Sequence, residues 1–212
     1  MKIEVWSDIV CPWCYLGKRR LETALAGFDH PVTVEWRSFQ LDPTYPKDLR
    51  QPVLEAIQSK MGASPAQVRA MTGNVGALAE AEGLTYDFDN AVMVNTFDAH
   101  RVAHLAKASD LGTEMHERLL RAQLVEAAVL NDSETLVRLA TEVGLPEQDT
   151  RRVLASDEYA TAVTADIQEA RALGVNGVPF FVIDRRYGIS GAQPVEAFRS
   201  ALTTAATAGA TH

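Results

Sequence analysis

Cys11 and Cys14 are the only cysteines in a chain of 212 residues, and Pro12 and Trp13 separate them. Two thiols at this spacing can close into a disulfide and reopen, so the residue types point to redox chemistry. The pair follows a short apolar run with strand character, Ile3 to Trp6, and the segment Ser7-Asp8-Ile9-Val10. Pro12 suits the first position of a helix, and Leu21, Leu25 and Phe28 follow at helical spacing. Cys11 is therefore expected at a helix N-terminus. Unpaired amide groups and the positive end of the helix dipole favour a thiolate there, and the thiolate is the form that attacks a disulfide.

A CxxC can also be half of a zinc site, but tetrahedral zinc needs about four protein ligands and no second cysteine pair exists. His100 and His104, spaced i, i+4, could complete such a site only by joining a strand–helix junction to a distant helix. No metal is expected.

The net charge of −8 argues against nucleic acid or an anionic membrane surface as partner, because both select basic patches. No apolar stretch approaches the roughly 20 residues that span a bilayer. The first residues enter a strand without the basic and apolar regions of a secretory signal, so the cytosol is the expected compartment. Thiol pools there keep cysteine pairs reduced, which favours a catalytic dithiol over a permanent staple. Arginine far outnumbers lysine and alanine is abundant, a composition that suggests a GC-rich bacterial genome.

Residues 2–6 and 32–40 read as strands joined by a helix over 12–27, a βαβ unit whose strands run parallel. Pro43 and Pro46 then break regular structure. A long helical region follows, with helices expected over 52–61, 65–82, 91–111, 113–130, 133–143, 147–154 and 157–173. Strands return at Pro179–Ile183 and Tyr187–Ser190 as an antiparallel hairpin, and Pro194 opens a last helix carrying Val195, Phe198 and Leu202. The Ala/Thr-rich end from Thr203 to His212 is expected to fray. This order, βαβ, helical block, ββα, is that of an α/β thioredoxin-like fold with a large all-helical insertion, its sheet wrapped by two flanking helices. The expected division is a discontinuous thioredoxin-like domain, 1–43 and 172–212, around a helical domain, 44–171.

Several segments together resemble the FrnE-like branch of the DsbA family of thiol–disulfide oxidoreductases. They are Ser7-Asp8 with Cys11-Pro12-Trp13-Cys14-Tyr15, Asn95-Thr96-Phe97-Asp98-Ala99-His100-Arg101, the run Gly174 to Val182, and Gly191-Ala192-Gln193. The resemblance implies a cis Val178–Pro179 bond facing the CxxC, with the Val178 backbone offered to an extended substrate chain. It also exposes a departure. Thioredoxin-like enzymes often carry a buried acid six positions before the nucleophilic cysteine, and Val5 stands there. Another group, with Asp8 as the candidate, or water must then receive the proton of the second thiol. Because no further cysteine pair exists, only one redox centre can operate.

In this reading Cys11 is the exposed nucleophile and Cys14, one helical turn further in, resolves the mixed disulfide. Pro12, Trp13 and Asp8 tune the pair, with Asp8 either acting on Cys11 or capping the helix. Val178, Pro179, Asn95 and His100 are the substrate-binding candidates, the last two as lining of the cleft or as interface residues. Trp13 and Tyr15 are candidates for an apolar rim. Trp13 gives Cys11 no cationic donor, so a potential between about −270 mV (thioredoxin) and about −120 mV (DsbA) is expected, suited to reductase or isomerase service. No cofactor is expected beyond glutathione as a candidate reductant, and the partners are protein or small-molecule disulfides and dithiols. The rivals are a glutathione-dependent isomerase or transferase related to 2-hydroxychromene-2-carboxylate isomerase, whose relatives place serine at the first cysteine, an accessory enzyme of polyketide biosynthesis, and a non-catalytic binding module.

Overall fold

The computed structural model describes residues 1–209. Strand β1 (Lys2–Ser7), helix α1 (Pro12–Leu25) and strand β2 (Thr33–Ser38) form the parallel βαβ unit, in register from Lys2 opposite Thr33 to Ser7 opposite Ser38. A ladder of two residues each joins β3 (Gln51–Pro52) to β4 (Val92–Met93), with α2 (Val53–Met61) and α3 (Pro65–Glu80) between them. The helices α4 (Phe97–Ala108), α5 (Gly112–Leu124), α6 (Ser133–Val143), α7 (Glu147–Leu154) and α8 (Ala160–Ala172) follow. The hairpin β5 (Phe180–Ile183) and β6 (Tyr187–Ser190) and the helix α9 (Val195–Gly209) complete the order. The main sheet runs β2-β1-β5-β6, and β5 is antiparallel to both neighbours.

Alternation along β1 divides the sheet's two faces. Ile3 and Val5 meet Leu21 and Ala24 of α1, Phe181 of β5 and Phe198 and Leu202 of α9 in one apolar cluster. Trp6 faces the other way, with Val182, Phe39, Ala170 of α8 and Val175. The sheet is therefore wrapped by three helices rather than two. α8 buries Val163, Ile167 and Ala170, and the Trp6 indole donates to the Asp166 carbonyl at 2.9 Å. A separate core of Leu105, Met115, Leu119, Leu136 and Leu139 holds α4, α5 and α6 together.

Three boundaries depart from the sequence expectation. Residues 91–96 are not helical: Val92–Met93 pairs with β3, and α4 begins where the Asn95 side chain accepts the Phe97 amide at 2.9 Å. α5 ends at Leu124 instead of near 130, and the chain then turns through Ala127 at φ +50°. The last helix does not fray over its described part: it continues to Gly209 with Leu202 and Ala205 buried, while residues 210–212 lie outside the described residues. Among the described residues no helix is long and apolar enough to cross a membrane.

Candidate active site

β1 ends at Ser7, and the next residues turn the chain into α1 so that Cys11 is its N-cap and Pro12 its first residue. The Cys11 amide donates to the Asp8 carbonyl at 3.1 Å, and the Cys14 amide to the Cys11 carbonyl at 3.0 Å. Cys11 is thus held at the positive end of a helix of 14 residues. Both thiols are free. The Cys11 Sγ donates to the Val178 carbonyl at 3.6 Å, a contact across 167 residues of chain, and the Val178–Pro179 bond is cis. Gly17 lets α1 approach that segment, since a Cβ there would lie 2.9 Å from Pro179 Cγ and 3.1 Å from the Phe181 ring.

Burial corrects the expected exposure of the nucleophile. Cys11 is 4% exposed and Cys14 1%. The cover comes from the helical block and from the strand side: Ala79, Leu84, Tyr86, Leu120, Leu124 and Val178 pack around both cysteines. Burial pushes the Cys14 thiol well above the usual range and the neighbouring Cys11 adds to this, while Ser7 and the Asp8 backbone pull the other way. Val5, the position of the missing acid, is fully buried among apolar side chains.

Asp8 does not cap α1 with its side chain: the N-cap is Cys11, and the Asp8 carboxylate is engaged elsewhere. Its carboxylate instead accepts the Leu41 amide at 2.8 Å and lies 3.3 Å from His100 Nε2, both groups buried. His100 lines a cavity of about 470 Å³ along the free edge of β2, with Trp36, His104, Lys107 and His116. Burial, with His100 and Lys18 nearby, holds His116 well below the usual imidazole range. Asn95 is occupied by the Tyr45 carbonyl at 2.5 Å and the Phe97 amide, so it fixes the start of α4. His104 pairs with Asp166 at 3.0 Å, away from His100's partner. Among the described residues no group of three or more His, Cys, Asp or Glu is disposed to hold a metal.

Of the two rim candidates, Trp13 is 42% exposed beside the cysteines, but Tyr15 is buried, its hydroxyl donating to Glu117 at 2.6 Å. The rim residue that sequence reasoning missed is Tyr86, whose hydroxyl donates to the Pro12 carbonyl at 2.7 Å. It lies on an irregular segment between α3 and β4, where no periodicity marks it.

A model of the DSBA-like thioredoxin domain matches residues 2–203. The crystal structure of a probable DsbA oxidoreductase, SCO1869 from Streptomyces coelicolor, is 48% identical, with a TM-score of 0.95 over 98% of this chain and 90% of that one. The uncharacterized protein YwbO of Bacillus subtilis (strain 168) is 30% identical over 203 residues, 95% of each chain. A structure of 2-hydroxychromene-2-carboxylate isomerase shares the fold at a TM-score of 0.75 and 15% identity, covering all of this chain and 98% of that one.

Proposed function

The chain belongs to the DSBA-like thioredoxin-domain family, and from that premise we propose that it is a thiol–disulfide oxidoreductase, of the FrnE-like branch, working through Cys11 and Cys14. The observation that carries the reading is a pair of free thiols at the head of α1, the first of them 3.6 Å from a backbone carbonyl of the segment that leads into β5. Cys11 attacks a substrate disulfide, forming a mixed disulfide and expelling one substrate thiolate. Cys14 then loses its proton and attacks Cys11 Sγ, releasing the second substrate thiol and leaving the Cys11–Cys14 disulfide. An external thiol such as glutathione returns the pair to the dithiol.

The electrostatics suit this order of events. Part of what keeps Cys14 protonated is the neighbouring Cys11 sulfur, and that part vanishes once Cys11 is bonded to substrate and carries no charge. Ser7 and the Asp8 backbone then favour the Cys14 thiolate at the step that needs it. Val178 offers its backbone to an extended substrate chain beside Cys11, Pro179 shapes that segment, and Trp13 supplies an exposed apolar surface next to it. Service as a reductase or isomerase in the cytosol belongs to the same reading, because a reducing thiol pool keeps the pair as a dithiol.

Insulin reduction by dithiothreitol tests it: the protein should accelerate the reaction, Cys11→Ser should abolish the acceleration, and Cys14→Ser should accumulate mixed disulfides on Cys11. A wild-type protein that leaves the insulin rate unchanged overturns the reading. A glutathione-dependent isomerase is the second reading, favoured by the likeness of fold, and it requires activity to survive Cys14→Ser.

A further inference from the structure

The nucleophile of the proposed exchange reaction is sealed, so something must move before a disulfide reaches it. We infer that the Tyr86 side chain is the shutter: it swings from its place over the CPWC turn into an adjoining groove, and this swing admits polypeptide disulfides to Cys11. The inference rests on the proposed function for its substrate, and on geometry alone for the movement.

Tyr86 is half-buried, packs with Cys11, Cys14 and Val178, and holds the Pro12 carbonyl through its hydroxyl. Burial and the neighbouring Cys11 both raise its phenol above the ordinary range, so the group stays a neutral donor. The backbone on either side is pinned, which makes a side-chain rotation the available motion. The Leu84 amide donates to Ala79 at 2.9 Å and the Asp87 amide to Leu124 at 2.8 Å. On one flank of Tyr86 lies an open groove of about 340 Å³, walled by Thr72, Gly73, Gly76, Glu80, Asp87 and Phe88. A cavity of about 150 Å³ suffices for a benzene ring, so the phenol fits with room to spare. Gly73 and Gly76 keep that space open: a Cβ at Gly73 meets nothing within 4 Å, and one at Gly76 meets only Phe88 at 4.0 Å. Thr72, Glu80 and Asp87 stand on its wall as acceptors for the displaced hydroxyl.

Selection rests on the Val178 carbonyl beside Cys11: a peptide supplies an N–H donor for it, which a small aromatic disulfide lacks.

Alkylation of Cys11 by iodoacetamide in the folded Cys14→Ser protein reads the shutter directly, compared at the high-pH plateau so that thiol ionisation does not enter. Tyr86→Phe should raise the rate about fivefold, the factor of one ordinary hydrogen bond, and Tyr86→Ala should raise it further. Gly76→Leu, a helix-favouring change that fills the groove, should slow alkylation and insulin reduction with a urea midpoint no lower than the parent's, and Gly73→Leu serves the same purpose where Gly76→Leu does not fold. A parental alkylation rate in Tyr86→Ala, or in a stably folded groove-filled variant, overturns the inference. Alkylation needs no disulfide substrate, so a protein inactive on insulin that still shows these rate changes loses the proposed function and keeps the shutter.

Discussion

The two faces of the four-stranded sheet are held by different forces. Toward α1 and α9 the contacts are apolar, with Val5 and Phe181 fully buried and the Phe181 and Phe198 rings edge to face at 4.8 Å. Toward α8, the residues alternating with these include Glu4, 1% exposed and paired with Arg37 and Arg185, and Arg37 in turn reaches Asp166 at 2.9 Å. The thiols ride on the apolar side, since α1 both carries them and packs there. The ion pairs of Glu4, Arg37, Arg185 and Asp166 are gathered on the opposite face and neutralise one another. The comparison teaches that the sheet separates the task of holding α1 rigidly from the task of tying β1, β2 and α8 together.

Four measurements test this division, beginning with the greatest effect. Cys14→Ser should remove turnover in insulin reduction, while Glu4→Gln, on the far side of the sheet, should leave it at the wild-type level. A loss of turnover in Glu4→Gln would mean that the faces are coupled. Phe198→Ala should lower stability by about 3–5 kcal/mol in urea unfolding, the usual cost of truncating a buried aromatic. Glu4→Gln should cost less, about 1–3 kcal/mol, because Arg37 keeps Asp166 and Arg185 keeps Glu169. A larger loss from Glu4 than from Phe198 would reverse the ranking of the faces.

The smallest effect concerns acid. Burial alone would raise Glu35, but Lys107, Lys2 and Arg37 outweigh it and bring its carboxyl from 4.5 to about 2. A depressed carboxyl stabilises the fold fully above the unfolded value and loses that contribution as pH falls through the folded one. Urea midpoints should therefore fall between about pH 4.5 and 2, and Glu35→Gln should flatten that part of the curve. Glu4, also lowered by its guanidinium partners against the cost of burial, acts with the same sign.

The βαβ unit and the closing hairpin were legible because apolar runs, Pro12 and the short Asp184-Arg185-Arg186 turn carry local signals. The β3–β4 ladder was not, because a strand of two residues has no period to read. The start of α4 lies beyond what periodicity can place, because a side chain, Asn95, decides it. At the site, the position of Cys11 at a helix head followed from Pro12. Its burial did not, since the cover comes from Leu84, Tyr86 and Leu120, distant residues that only docking of the helical block brings there. Arg101 and Asn95, both within the motif that carried the resemblance, serve architecture: Arg101 donates to the carbonyls of Val153, Ser156 and Glu158, and Asn95 holds Tyr45 and Phe97.

The contact between Cys11 and Val178 has a consequence for how the molecule is made. The two residues lie 167 positions apart, and at synthesis rates of about 5–20 residues per second the sulfur leaves the ribosome on the order of ten to thirty seconds before its guide exists. Through that interval Cys11 lacks the Val178 carbonyl that orients it, although the covering residues Ala79 to Leu124 are made earlier. Selective reactivity is therefore acquired late, as a property of the finished chain.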